Sequence, residues 1–363
     1  MIRLLLVGVL AVAAQTSTLI RPSASTAQVP NDPDDPAIWV NAADPSKSLI
    51  LATDKMPAVG GLFVFGLDGT LRQTIAPLDR PNNVDVEYGF ATGGQRLDIA
   101  VVTERLKHRL RVFGISPDGS GVKDLVPNGL PVLAGQPADA GEPMGIALYK
   151  RPRDGAIFAI VSPKTGGQAD YLWQYRLDEV KGAITATLVR RFGAFSRIGA
   201  VAGEIGEIEA VVVDDALGYV YYSDERFGIR KYHADPDSPD AAKELAVLGR
   251  DGYQGDREGL AIYSQPNGGG YLVSSDQMPG ATRVMIYSRS GSPKGPHDQP
   301  LLAAIPTGAD STDGLDVTST PLPGFPNGLL AMMNSAPRNF LLYQWNEIAA
   351  RLRDSARPSR GQR

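Results

Sequence analysis

A chain of 363 residues with no cysteine has no disulfide framework, no Cys-ligated zinc and no access to thiol-phosphatase chemistry. A net charge of −4, with 40 glycines against 36 Lys and Arg, argues against a nucleic-acid surface, because a phosphate backbone demands a concentrated positive footprint. With 43% hydrophobic residues the chain can fill a large core, and any basic site must be local.

The N-terminus reads Met1-Ile2-Arg3 followed by the apolar run LLLVGVLAVAA, residues 4–14, and then small residues. That pattern predicts a secretory signal peptide over residues 1–14, too short to span a bilayer, and hence export to the periplasm or the medium. Residues 17–29, STLIRPSASTAQV, are β-capable and belong to no repeat.

From Asp34 onward a three-strand phrase recurs six times. Its first run opens on an acid, amide or hydroxyl residue: DDPAIWV from Asp34, NNVDV from Asn82, EPMGIAL from Glu142, EIEAVVV from Glu207, DREGLAI from Asp256 and TDGLDV from Thr312. Its second run is LILATDK, IAVVTER, FAIVSPK, VYYSDER, YLVSSDQ and LLAMMNS. Its third ends on an aromatic: Phe65, Phe113, Tyr175, Tyr232, Tyr287 and Tyr343. A fourth strand follows in most units, such as LRQTIAP from Leu71. Strand-forming residues punctuated by Gly, Pro, Asp and Asn, four strands to a unit, at a period of roughly 50 residues, spell a propeller blade. A sandwich pair lacks the shared register, and β-helix repeats are much shorter.

The expected fold is therefore all-β, a six-bladed β-propeller over residues 15–350. The sixth unit has only three strands before NEIAARLRDSARPSRGQR, which reads as a short helix and a basic tail, the tail over 351–363. Its missing outer strand must come from residues 17–29, so an N-terminal strand completes the last blade.

Equivalent positions of a propeller form rings about its axis. At the start of the first run stand Asp34, Asp35, Asp85, Glu142, Glu207, Glu209, Asp256, Glu258, Asp313 and Asp316. Converging carboxylates repel unless a cation sits among them, and hard oxygens without Cys or clustered His select calcium or magnesium, flexible loops favouring calcium. At the end of the second run, blades one to three carry Lys55, Arg105 and Lys164, whereas the others carry Asp224 and Glu225, Asp276 and Gln277, and Asn334. Cations on one side and metal-binding oxygens on the other suit a ligand with several phosphates. The three histidines, His108, His233 and His297, have no ligand spacing, and no H-E-x-x-H or G-x-S-x-G motif occurs.

The stretches DDPAIWV, NNVDVEYGF, DREGLAIY, STDGLDV and NFLLYQW resemble the β-propeller phytases from about residue 17 to residue 350. That resemblance implies a calcium-dependent phosphohydrolase holding several calcium ions, in which a metal-bound water attacks a phosphate of myo-inositol hexakisphosphate while a neighbouring phosphate is held beside it. It assigns metal binding to Asp35, Glu209, Glu225, Asp256, Glu258, Gln277 and Asp313. It assigns catalysis to Glu209 and Glu258 together with the phosphate-gripping Lys55, Arg105 and Lys164. The expected substrate is phytate as its calcium complex, taken up by a monomer with neither nucleic acid nor membrane as partner. Several positions depart from the family pattern: Met56 for a second lysine, Met144 for a tyrosine, Thr165 for an acid, Thr307 for an acid, and Met332-Met333-Asn334 for an acid-bearing loop. Those departures leave two alternatives open: a weakly active or non-catalytic propeller that binds calcium and polyphosphate, or a calcium-dependent propeller lactonase or esterase. The three cations argue against the latter.

Overall fold

The computed structural model describes residues 19–355, so the expected signal peptide and residues 356–363 lie outside the described residues. Six antiparallel sheets follow one another along the chain, each starting at the axis and stepping outward. Blade one is Pro33–Trp39, Leu49–Asp54, Gly60–Gly66 and Leu71–Leu78. Blade two is Pro81–Thr92, Gln95–Glu104 and Arg109–Ile115, with an outer edge split between Val122–Asp124 and Leu130–Pro131. Blade three is Pro143–Lys150, Ile157–Pro163, Leu172–Val180 and Ala183–Phe192. Blade four is Val211–Asp214, Tyr219–Asp224, Gly228–His233 and Ala246–Leu248, and blade five is Leu260–Ser264, Gly270–Asp276, Arg283–Ser288 and Leu301–Pro306.

The near-continuous apolar second and third runs have a simple cause. Their strands are covered on both faces by neighbouring blades, so Leu49–Asp54 and Gly60–Gly66 are buried throughout, while the outermost Leu71–Leu78 is largely exposed. The core is accordingly a ring of layers between blades. One layer joins Leu51, Leu62 and Val64 of blade one to Ala100, Val102 and Phe113 of blade two. The six recurring aromatics are all buried in such layers.

The ring closes as the sequence requires. Leu315–Thr318, Leu329–Asn334 and Asn339–Gln344 make the inner three strands of blade six, and Ala24–Ser25 pairs antiparallel with Leu342 and Leu341 as the fourth. Thr26 N donates to Phe340 O at 2.9 Å and Val29 N to Arg338 O at 2.9 Å, extending the seam, and Ile20 N reaches Pro306 O of blade five at 3.0 Å. The helix Trp345–Ser355 then docks on blade five, where Trp345 stacks on Tyr263 with ring centroids 3.7 Å apart. It runs past residue 351, where the sequence placed the start of the tail.

Because this seam covers the edge of Asn339–Gln344, a chain beginning at Asn31 should lose stability as a whole ring. Thermal melting of that truncation against the full chain measures it, and an unchanged Tm would contradict the closure.

Candidate active site

In blades one to three the inner strand begins with a bulge that aims side chains at the mouth of the channel. In blade one Pro33 pairs with Asp54 and Pro36 with Ala52, leaving Asp34 and Asp35 opposite the single residue Thr53. Asn82 and Asn83 stand likewise opposite Thr103, and Met144 and Gly145 opposite Ser162. A bulge strands one backbone N–H, and the hydroxyl opposite takes it. Asp35 N donates to Thr53 Oγ1 at 3.1 Å, Asn83 N to Thr103 Oγ1 at 3.1 Å, Gly145 N to Ser162 Oγ at 2.9 Å and, in blade five, Gly259 N to Ser275 Oγ at 2.7 Å. Inner strands also crowd their neighbours. A Cβ on Gly145 would lie 1.8 Å from Glu209 O, and one on Gly314 would lie 2.0 Å from an oxygen of Asp35.

This register sorts the mouth into three rings. In the first stand Asp32, Arg80, Glu142, Glu207, Asp256 and Asp310, whose carbonyls accept from the N–H groups of Lys55, Arg105, Lys164, Glu225, Gln277 and Ser335. Those six residues at the ends of the second strands make another ring. Between the two lie Asp34, Asn82, Met144, Glu209, Glu258 and Asp313. Residues singled out from the sequence are thus brought together from all six blades, and Asn82 and Arg80 join them.

The rings are wired together by hydrogen bonds. Lys55 Nζ donates to Asp34 Oδ1 at 2.8 Å and to Asp313 Oδ2 at 2.5 Å, and Gln277 Nε2 donates to the other oxygen of Asp313. Arg105 pairs with Glu142 at 2.9 Å and reaches Asn82 Oδ1 at 3.2 Å, while Asn82 Nδ2 donates to Glu209 Oε1 at 2.6 Å. Lys164 pairs with Glu207, and Arg226 Nη2 donates to Asp256 Oδ2 at 2.7 Å. Glu225 Oε2 accepts from Glu207 N at 3.2 Å.

Three readings of the sequence change here. Asp224 and Asp276 are not donors at the mouth. They are fully buried clamps on the incoming chain, accepting from Ser196 N at 2.7 Å and Gly255 N at 2.7 Å and pairing with Arg230 and Arg283. Asp85 and Asp316 lie further along the channel and staple blades together, accepting from Leu148 N at 2.6 Å and Ile38 N at 2.7 Å. Of the adjacent Asp34 and Asp35, the bulge turns Asp34 to Lys55. Asp35 lines a narrow axial cavity of about 40 Å³ beside Glu258, with Oδ2 accepting from Val84 N at 3.0 Å.

Electrostatics follow from crowding in a dry ring. Burial, then the charge of Asp34, pushes Glu209 above the usual carboxylate range. Burial raises Glu225 and Glu258 as well, with Asp256 acting on Glu225 and Glu225 on Glu258. Lys55 would be lowered by burial, but Asp34 and Asp313 outweigh that and hold it well above its ordinary value. Lys164 is lowered by burial and by its neighbour Arg105. Asp34 Oδ2 is buried without a hydrogen-bond partner. Among the described residues no three acidic or imidazole side chains already stand as a ligand set, since Lys and Arg hold these acids. The donors nonetheless fit a hard cation: all are oxygens, several are pushed above the usual carboxylate range by burial and by neighbouring acids, and one is an orphan.

A closed propeller with oxygen donors facing fixed cations across its mouth belongs to the class of enzymes that handle phosphate esters with a hard cation. A family model described as Phytase matches residues 5–357. A 3-phytase of Bacillus subtilis (strain 168) is 30% identical over 331 residues, covering 88% of this chain and 81% of the relative. The chain belongs to the phytase family and is a phosphoric monoester hydrolase with a small-molecule substrate. Regucalcin, a calcium-binding protein from Agrobacterium tumefaciens, aligns over 88% of each chain with a TM-score of 0.51 at 10% identity, a likeness of fold alone.

Two outcomes test the site. Burial pushes Asp85 up to about 8 and Asp316 to about 6 from an ordinary 3.8, in the same direction as the acids of the mouth. An acid raised on folding stabilises the fold fully below its unfolded pKa and loses that contribution as pH climbs through its folded one. The metal-free protein should therefore melt lower at about pH 8 than at about pH 5, and added calcium should restore Tm most at the higher pH. A flat profile with no calcium response would contradict the crowding. Met144 is 1% exposed, so its side chain is enclosed by its neighbours. Met144→Tyr should overpack it, costing about 1–3 kcal/mol of stability in a denaturant melt with no gain in kcat/KM.

Proposed function

We propose that this chain hydrolyses the phosphomonoesters of myo-inositol hexakisphosphate in a calcium-dependent reaction, acting as a monomer on the calcium complex of its substrate. The observation that carries this reading is the ring of Asp34, Glu209, Glu258 and Asp313 set within reach of Lys55, Arg105 and Lys164. Glu209, Glu225, Asp256, Glu258 and Asp313, with Asp34, Asp35 and the amide oxygen of Gln277, would hold the ions. Calcium held there would supply positive charge against the phosphates and make water at the site more acidic.

The chain's own groups do the rest. Lys55, Arg105 and Lys164 bind phosphate oxygens and fix the ester's orientation, and positioning with charge neutralisation is most of what phosphoryl transfer needs. Asn82 donates to Glu209 Oε1 and fixes the orientation of that carboxylate. The substrate's own charge draws Lys55 off Asp34 and Asp313, freeing both acids as it enters. We further propose export through residues 1–14, to be checked by N-terminal sequencing of the mature protein.

Phosphate release from calcium phytate, with and without a chelator, tests the reaction. Activity should vanish with the chelator, and Glu209→Gln or Glu258→Gln should lower kcat on the order of 100-fold while circular dichroism stays that of the folded ring. Chelator-resistant release, or wild-type rates in both variants, would overturn the metal-dependent reading.

A further inference from the structure

One residue beyond the ends of the second strands the six blades carry Met56, Leu106, Thr165, Arg226, Met278 and Ala336. Only blade four places a charge there, and the cause lies one residue earlier. Arg105 of blade two and Lys164 of blade three reach across to the first-ring acid of the following blade, Glu142 and Glu207. Blade four has Glu225 at that register, an acid that cannot make the reach, and Arg226 makes it from the next position. Its Nη2 donates to Asp256 Oδ2 at 2.7 Å while Nε faces Oδ1. Both oxygens of a carboxylate assigned to metal binding are thus taken by one guanidinium, whose planar fork matches a carboxylate.

The nearby Arg257 is spent on the backbone. Its Nε donates to Gly249 O at 2.8 Å, Nη1 to Glu225 O at 2.5 Å and Nη2 to Arg250 O at 3.2 Å. After burial, Asp256 is the first charge acting on Glu225, and Glu225 the first acting on Glu258, so the Arg226 pair stands at the head of a chain of three acids. The pair is also open to exchange. The side chains of Arg226 and Asp256 are 29% and 20% exposed, whereas those of the clamp Arg230 on Asp224 are 8% and 0% exposed. A sealed pair belongs to the fold, because parting it strands a buried charge; a pair that water reaches can be parted by a competing ion.

We infer that Arg226 is a built-in competitor for the cation that Asp256 would hold: it occupies the carboxylate in the metal-free protein, is displaced when the ion binds, and so sets the calcium concentration at which the site fills. This deepens the calcium reading and rests on it. The apparent affinity of a ligand falls with the fraction of protein whose site stands open, so a pair closed roughly ten times as often as it is open weakens calcium about tenfold. Arg226 acts through the metal site and takes no part in bond breaking.

The test is calorimetric titration of calcium into the metal-free full chain, with Arg226→Met, Arg226→Lys and Arg197→Met beside wild type. Methionine already occupies this register in blades one and five, so the scaffold accepts it. Arg226→Met should lower the calcium Kd about tenfold, and Arg226→Lys, which keeps the charge and loses the fork, should fall between that variant and wild type. Arg197 donates to Gly166 O at 3.0 Å, two residues from Lys164, so Arg197→Met removes an equal charge without vacating a carboxylate and should leave Kd within about twofold. Melting adds a readout that a purely structural role would not move. Arg226→Met should melt below wild type without metal, where Asp256 loses its counter-ion, and the difference should vanish in excess calcium. An unchanged Kd in Arg226→Met, or a deficit in Tm that calcium does not remove, would overturn the competition and leave the calcium reading intact. A variant that binds one ion more than wild type, at otherwise unchanged affinity, would overturn it too, since Arg226 would then stand permanently in an ion's place. If neither wild type nor Arg226→Met takes up calcium, the calcium reading itself fails and this inference with it.

Discussion

Crowded carboxylates at a dry axis are the constraint on which the rest of this structure depends. Inner strands approach so closely at Gly145 and Gly314 that no side chain fits between them, and the acids beside those glycines cannot spread apart. Glu209, Glu225 and Glu258 are consequently raised by burial and by one another. Such a ring is stable only with protons, with basic side chains or with bound cations. Lys55 and Arg226 neutralise part of the charge from within, and what remains is negative charge that a hard cation would neutralise.

The same six-fold scaffold explains how an asymmetric site arises from a symmetric one. Bulge, hydroxyl and clamp recur from blade to blade: Thr53, Thr103, Ser162 and Ser275 each take a stranded N–H, and Asp54, Glu104, Asp224 and Asp276 each hold the incoming chain. Those positions are spent on building the blade. The residue after each clamp is free to vary, and there lie Lys55, Arg105, Glu225 and Gln277. The candidate site therefore draws part of its side chains from a register that differs from blade to blade.

Departures from the family pattern in blade six are absorbed by hydrogen bonds. Thr307 Oγ1 donates to Thr282 O at 2.7 Å, and Asn334 Oδ1 accepts from Asp310 N at 3.0 Å. Asp310 also accepts from Gly280 N at 2.7 Å and Ala336 N at 2.9 Å, which ties the loops of blades five and six together. Met332 and Met333 are buried against the neighbouring blades. Blade six is thus held by packing and neutral hydrogen bonds at positions where the family pattern carries acids.

The sequence by itself determined the blade count, the four-strand unit, the closing strand from residues 17–29 and the division of the mouth into cationic and acidic sides. Each of these is periodic, and a repeated register is legible because the same strand geometry returns six times along the chain. It could not say which of two adjacent acids faces the channel. Asp34 and Asp35 differ only in their place within a bulge, and a bulge shifts the side-chain alternation in a way no period of two reveals. Nor could it separate Asp224 and Asp276, clamped by arginines, from Glu225 and Gln277 one residue on, because the partners Arg230 and Arg283 are brought in by the next strand. Arg80 escaped notice for the same reason. It stands at the ring position where the other five blades carry an acid, and that equivalence is visible only when the ring closes and fixes who is beside whom.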